Sequence, residues 1–316
     1  MDRLIGSYEG QKKGPLVLVL GAVHGNEPAG VEAFQGVLGM LEKEHFHQPD
    51  FIFSGKILGF IGNIAAFQQN KRFICQDLNR MFNYDWVEQV IAQSPSNFED
   101  EDYELVALLQ AIQQEIVAYQ PHELIILDLH TTSADGGIFS IPLESDPESI
   151  RMAKALHVPV VMGLLSGLDH TFMHYANHPD SVFRAPNRAV HTVAFEAGQH
   201  NDPLSVSRCV SAIISLLRAV GCVMEKDVSS QHDEILRKYA KDLPKLTYIT
   251  HVQHIAEGER FKMRPGYINF KFIYKGEYLA DNEKGPILAP SDGHILMPLY
   301  QTQGVDGFFI VNTQPN

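Results

Sequence analysis

The chain of 316 residues is long enough for about two domains of ordinary size. It carries 25 lysines and arginines against 38 aspartates and glutamates, and the formal charge of −13 repels nucleic-acid phosphates and anionic lipid headgroups. Apolar residues make up 45% and charged residues 20%, which excludes disorder, collagen-like repeats and coiled coil for the chain as a whole. We therefore expect neither nucleic acid nor a membrane surface as a general partner.

Strands and helices alternate over the first two thirds of the chain. Short continuous apolar runs predict strands that are buried on both faces, and apolar stripes at helical spacing predict the helices between them. In chain order we predict strand 15–20, helix 27–44, strand 51–62, helix 101–119, strand 123–129, helix 147–156, strand 158–162, strand 191–195 and helix 203–220. This alternation predicts α/β layers around a mostly parallel sheet.

The sequence changes character after a polar helix predicted at 233–241. Short alternating apolar runs follow, separated by Gly, Pro, Asn and Asp, and they predict a small all-β domain. The predicted strands of this part are 248–254, 267–272, 293–297 and 308–311. We therefore predict an α/β domain at residues 1–235 and a C-terminal β domain at 236–316.

The N-terminal residues and the cysteines predict a cytoplasmic protein. Residues 1–7 lack the basic start and the apolar stretch of a signal peptide, and no apolar run approaches the ~20 residues of a membrane-spanning helix. The three cysteines are odd in number and have no Cys-x-x-Cys spacing, which argues against a disulfide framework and a thiolate zinc site. Fifteen histidines are the unusual feature, because histidine is the commonest metal ligand.

Two histidines follow apolar strands. His24 and Glu27 come after the first strand with i, i+3 spacing, which brings an imidazole and a carboxylate together, and Gly25 allows a tight bend between them. His130 ends the strand at 123–129, with Asp128 two residues before it as a partner for a ligand imidazole. If the two strands are neighbours, His24, Glu27 and His130 form the three-ligand set of a hydrolytic zinc site. The alternative for each motif is a polar helix start or a strand-end hydrogen bond.

Two further motifs carry groups that suit hydrolysis. Glu196 follows the apolar strand at 191–195, where a carboxylate beside an activated water is suited to act as a general base; the alternative is a strand-end ion pair. Arg72, Asn79 and Arg80 cluster in a predicted loop that is suited to hold a substrate carboxylate and to stabilise an oxyanion. The alternative there is a solvated basic segment.

Together these motifs resemble the succinylglutamate desuccinylase/aspartoacylase family of zinc carboxypeptidase-like hydrolases. The matching stretches are G-x-x-H-G-N-E at 21–27, D-L-N-R at 77–80 after Arg72, D-L-H-T-T at 128–132 and E-x-G at 196–198. The resemblance implies a central mixed sheet flanked by helices, with a small β domain that caps the active-site entrance. It covers the α/β part and, more loosely, the β-rich tail.

The resemblance also implies roles for the residues. His24, Glu27 and His130 would bind one Zn²⁺ per chain, Arg72 would polarise the scissile amide carbonyl, and Glu196 would activate the attacking water. The implied reaction is hydrolysis of a small anionic N-acyl amino acid, of the aspartoacylase or the succinylglutamate desuccinylase type.

Substrate recognition is where this sequence departs from the family pattern. Asn79 and Arg80 would grip the α-carboxylate, but residues 197–200 read A-G-Q-H where aspartoacylases have V-G-P-Q. Arg184 and Arg188 are the candidates for an arginine that reads a second carboxylate, although neither aligns without a gap. The acyl group and the amino acid side chain therefore stay open.

Other functions remain open on the sequence alone. A carboxypeptidase-like peptidase would use the same zinc chemistry on peptides, and a regulatory protein of this fold would bind zinc without catalysis. A homo-oligomer is also open.

Overall fold

The computed structural model of the chain describes residues 1–168 and 170–314, except the side chains of residues 45 and 46. The helices of at least one full turn are α1 (Ala29–His47), α2 (Ile64–Gln68), α3 (Tyr84–Ala92), α4 (Asp100–Tyr119), α5 (Pro147–Ala155), α6 (Phe172–Asn177), α7 (Leu204–Ala219) and α8 (Gln231–Tyr239). The strands are β1 (Leu4–Glu9), β2 (Lys12–Gly21), β3 (Ser54–Ile61), β4 (Glu123–Thr132), β5 (Phe139–Pro142), β6 (Val160–Met162), β7 (Ala189–Gln199), β8 (Leu246–His254), β9 (Lys262–Met263), β10 (Phe272–Ile273), β11 (Tyr278–Asn282), β12 (Gly285–Leu288), β13 (Gly293–Leu296) and β14 (Asp306–Asn312).

A large mixed sheet organises the fold. Within the described residues, eleven strands pair in the order β1-β3-β2-β4-β7-β5-β6-β8-β14-β13-β10. The centre, β3-β2-β4-β7, is parallel, whereas β1 and β5 run antiparallel to their neighbours. The predicted α/β class with a central mixed sheet flanked by helices is therefore confirmed.

The central strands are buried on both faces because helices cover both. Along β2, Val17 and Val19 face the core under α1 and α7, while Leu16, Leu18 and Leu20 face the core under α3 and α4. This alternation with period two explains why the strand reads as an unbroken apolar run. No described helix is both long and apolar enough to cross a lipid bilayer.

The C-terminal strands extend the main sheet. β8 pairs in parallel with β6, and β14 lies between β8 and β13, so this part shares backbone hydrogen bonds with the α/β part. The boundary predicted at 235/236 falls inside α8, whose Leu236 packs into the core with α7. The strand predicted at 267–272 is wrong over most of its length, since β10 begins only at Phe272. β9, β11 and β12 form a separate three-stranded sheet.

Candidate active site

Three metal-ligating side chains meet at the carboxyl edge of the parallel strands. β2 and β4 are neighbours, with Gly21 paired to Leu129, so the residues that follow them emerge side by side. The ligating atoms of His24, Glu27 and His130 lie within 4.8 Å of one another, and all three side chains are buried. The sheet edge therefore carries the cluster predicted from two strands that are separate in sequence.

Gly25 allows the turn between the first two of these residues. A Cβ atom at this position would lie 2.2 Å from the backbone carbon of Ala66 in α2, which no real side chain tolerates. The turn also hydrogen-bonds to the loop that follows α2, since Gly25 N donates to Arg72 O at 3.1 Å. Close backbone contact thus fixes His24 and Glu27 against the next part of the site.

Both imidazoles turn the same nitrogen towards Glu27. The Nδ1 atoms of His24 and His130 lie 2.9 and 3.1 Å from the two carboxylate oxygens, near the roughly 3.3 Å between ligands of a tetrahedral zinc ion. On the far side of each ring, Nε2 lies 3.2 Å from Asp77 for His24 and 3.0 Å from Asp128 for His130. A carboxylate behind each imidazole fixes its tautomer and raises its basicity, as in zinc proteins.

The electrostatics of the cluster favour a cation at its centre. Burial alone would raise the pKa of Glu27, but His24 and His130 hold it well below its ordinary value. Burial alone would lower the pKa of His130, but Asp128 and Glu27 raise it well above its ordinary value. The cluster thus gathers several buried carboxylates around two imidazoles, and the residues present fit a divalent metal.

Glu196 lies beside the cluster on the neighbouring strand. In the pairing of β4 with β7 it is directly opposite His130, and it is only 4% exposed. Its Oε2 atom is buried and has no hydrogen-bond partner among the described residues. Burial raises the pKa of Glu196 to about 8, although His130 lowers it in part. An uncommitted carboxyl oxygen in this position is equipped to take up and release a proton.

The loop after α2 brings two arginines to the pocket. Arg72 donates from Nε and Nη2 to Asp77 at 3.0 and 2.8 Å, and its Nη1 lies 3.8 Å from Glu27. Arg80 donates to Asp306 of β14 at 2.7 Å. Asn79 is buried and accepts from Phe172 N at 2.9 Å. All three predicted loop residues line the cleft that contains the cluster.

Glu101, which the sequence analysis missed, holds this loop in place. Its carboxylate is 1% exposed and accepts hydrogen bonds from three successive backbone N–H groups, those of Ile74, Cys75 and Gln76, at 2.7, 2.9 and 3.1 Å. Glu101 also accepts from Asn63 Nδ2 at 3.2 Å. As a carboxylate in the first turn of an amphipathic helix, it is indistinguishable in sequence from an ordinary solvated residue.

For the zinc hydrolase that the sequence motifs predict, Glu101→Gln is expected to lower kcat/KM at least ~10-fold while zinc content stays unchanged. Glutamine has the same size, but its NH₂ group replaces one acceptor oxygen and faces backbone N–H donors. The unsatisfied donors cost about 1–3 kcal/mol of free energy, which is expected to displace the loop that carries Arg72. Glu115→Gln is the control, because Glu115 lies on the same helix and contacts Lys56 instead. Full activity in Glu101→Gln would contradict the positioning role.

The structure does not bring Arg184 or Arg188 to the cluster. Arg188 directly precedes β7 and Glu196 lies near its other end, roughly 26 Å away at 3.3 Å per residue. Arg188 donates to backbone oxygens of Pro121 and Phe183, and Arg184 donates to Asn177. Neither arginine lines the cleft. We therefore do not propose Arg184 or Arg188 as substrate-binding residues.

Residues 298–306, here called the mouth segment, line a pocket next to the cleft, and the two share Arg72, Arg80 and Leu168 among their lining residues. The hydrogen bonds that tie it to the α/β part include Asn26 Nδ2 to Gln301 Oε1 at 2.9 Å, Gln303 Nε2 to Phe73 O at 3.1 Å, and Arg80 Nη2 to Asp306 Oδ2 at 2.7 Å. These contacts hold the mouth segment against the loops that carry Arg72 and Arg80.

The fold and the buried His–Glu–His cluster define an α/β protein with a candidate catalytic metal centre. The family model of the succinylglutamate desuccinylase/aspartoacylase catalytic domain matches residues 13–202. The chain therefore belongs to the succinylglutamate desuccinylase/aspartoacylase family, and the resemblance seen in its motifs is confirmed. A probable aspartoacylase from Nostoc sp. is 29% identical over 143 residues, which are 44% of this chain and 43% of that protein. The match thus spans less than half of that relative.

Solved structures share the fold over nearly the whole chain. A succinylglutamate desuccinylase/aspartoacylase from Rhodobacter sphaeroides has a TM-score of 0.62 at 17% identity and covers 96% of this chain and 87% of its own. The product-bound ectoine utilization protein EutE (DoeB) from Ruegeria pomeroyi has a TM-score of 0.61 at 17% identity, covering 96% and 86%. Murine aminoacylase 3 has a TM-score of 0.59 at 16% identity, covering 95% and 96%. The C-terminal strands therefore belong to the shared fold.

Proposed function

We propose that the protein is a zinc-dependent hydrolase that cleaves the amide bond of a small N-acyl amino acid. The observation that carries the proposal is the pairing of a buried His24–Glu27–His130 cluster with Glu196, whose free carboxyl oxygen lies in the same cleft. Family membership supports the reaction class. The residues proposed to hold one Zn²⁺ are His24, Glu27 and His130.

Glu196 is proposed to carry the proton through the reaction. Zinc, when bound, supplies a positive charge that acidifies water and polarises a carbonyl. Glu196 takes the proton from the attacking water and then delivers it to the nitrogen of the departing amine, so the amide becomes a carboxylate and a free amino group. Asp77 and Asp128 keep the two imidazoles oriented throughout.

Three loop residues are proposed to position the substrate. Arg72 Nη1, 3.8 Å from Glu27, faces the centre of the cluster, where it can stabilise negative charge that develops on the amide oxygen. Asn79 and Arg80, which line the same cleft, are proposed to receive the α-carboxylate. The mouth segment is proposed to cap the entrance, so access is limited to small substrates.

A panel of N-acetyl and N-succinyl amino acids, assayed by release of free amine together with zinc analysis, tests the proposal. We expect one zinc per chain and turnover of at least one N-acyl amino acid. Faster cleavage of long peptides than of any N-acyl monomer would indicate the carboxypeptidase-like alternative. Stoichiometric zinc without turnover of any panel member or peptide would indicate the regulatory alternative. A cytoplasmic location and a homo-oligomeric state stay predictions.

A further inference from the structure

Beyond Glu196 the cleft has an apolar wall. Its side chains come from β5, the turn before α6, α6 itself, β7 and the residue after β13. The wall consists of Ile141, Leu164, Leu165, Leu168, Met173, Ala194 and Met297. These side chains are continuous with a buried core cluster that includes Phe139 and Phe309, so the wall is the cleft-facing edge of that packed core.

The cationic side chains of the cleft are already paired. In the described part of the chain, Arg72 and Arg80 are the lysines or arginines that line it. Arg72 forms a two-point contact with Asp77, and Arg80 contacts Asp306 at 2.7 Å. One α-carboxylate can share Arg80 and Asn79, but a second substrate carboxylate meets no further arginine or lysine among the described lining residues.

The remaining polar groups near the wall also disfavour a second negative charge. Asp128 and Glu196 line the same cleft, and Asp306 lies at its mouth beside Arg80. The His200 ring is engaged on both nitrogens, with Thr131 Oγ1 at 2.7 Å and Gln301 Oε1 at 3.3 Å. A buried carboxylate without a paired cation is strongly disfavoured, whereas an apolar group gains by leaving water.

From this placement of apolar, cationic and acidic side chains in the cleft, we propose that the substrate carries one carboxylate only. We propose further that its acyl group or its side chain is apolar and packs on the wall. The inference rests on the proposed function, since it names the substrate class of the same site. It separates this chain from a deacylase for N-acetylaspartate or N-succinylglutamate, each of which carries additional carboxylates.

Two matched substrate pairs test the proposal with the zinc-loaded full chain. N-acetyl-leucine against N-acetyl-aspartate varies the side chain, and N-hexanoyl-glycine against N-succinyl-glycine varies the acyl group. In at least one pair kcat/KM is expected to favour the apolar member by at least ~10-fold. The pair that shows the preference identifies which group meets the wall.

The outcomes separate the two proposals. Turnover with a preference for the dicarboxylate in either pair, or with no preference in both, overturns the apolar class and leaves the hydrolase proposal standing. Absence of turnover for all four compounds, and for every member of the N-acyl panel, overturns both.

A charge placed on the wall gives an independent test. Leu168 is half-buried and lines the cleft, so Leu168→Arg adds a cation there without deleting a buried core side chain. The ratio of kcat/KM for N-acetyl-aspartate to that for N-acetyl-leucine is expected to rise at least ~10-fold. Ser166→Arg, an exposed position on the same turn, adds the same charge outside the cleft and should leave the ratio unchanged. An equal rise in both variants, or in neither, contradicts a wall that selects by charge.

Discussion

Replacing Glu196 with glutamine is expected to lower the rate of amide hydrolysis at least ~100-fold while the zinc content stays at one per chain. Glutamine has nearly the same size and remains able to occupy the buried position opposite His130. It cannot accept a proton at its amide, so under the proposed mechanism the attacking water loses its base and the departing amine loses its acid. Steady-state kinetics and zinc analysis of the same preparation measure both quantities.

Glu42→Gln is the matched control for this experiment. Glu42 lies exposed on α1, and its substitution removes one carboxylate from the acidic chain without touching the cleft. Its activity should equal that of the parent chain. A hydrolysis rate of Glu196→Gln within a few-fold of the parent rate would contradict the proton-transfer role. Loss of zinc from this variant would indicate that Glu196 is a metal ligand instead.

Glu27→Gln is expected to weaken zinc binding by more than ~100-fold. Loss of a partner that only orients a ligand costs 10–100-fold in affinity, and Glu27 is itself proposed as a ligand. The carboxylate also accepts from Thr131 N at 2.9 Å, so the substitution disturbs the end of β4 as well. Zinc titration of the metal-free protein, followed by thermal unfolding, measures the change, because a bound ion raises the melting temperature with concentration.

Glu32→Gln serves as the control for the zinc measurement. Glu32 is exposed in the first turn of α1, a few residues after Glu27. This variant should bind zinc with the parent affinity and show the same rise in melting temperature. An unchanged affinity in Glu27→Gln would show that the metal lies elsewhere, and the proposed centre would then be wrong.

The central strands and the residues that end them can be predicted from the sequence, because each strand is identified by a short apolar run of its own. An unbroken apolar run such as 16–20 predicts a strand buried on both faces, and the polar residue that follows it must emerge at a sheet edge. The sequence alone therefore predicts that His24 and His130 lie close together. Their separation of more than one hundred residues did not matter, since neighbouring parallel strands end at the same edge.

The features that the sequence does not predict depend on which distant segments become neighbours in the fold. The run at 246–254 has the alternation of any β-strand, and nothing in it shows that it pairs with β6. Glu101 is missed for the same reason, since its backbone partners lie in a distant loop. Arg188 is close to Glu196 in sequence, but the extended strand between them places the two residues at opposite ends of β7.

The interior position of β14 has a consequence for the order in which the site is assembled during synthesis. All three proposed metal ligands have been made by residue 130, but Asp306, the carboxylate paired with Arg80, follows that arginine by 226 residues. Until residue 312 has left the ribosome, β8 and β13 lack their shared neighbour and present unpaired edges. The pocket mouth is thus completed late, and nascent chains that stop before β14 are the species expected to need protection from aggregation.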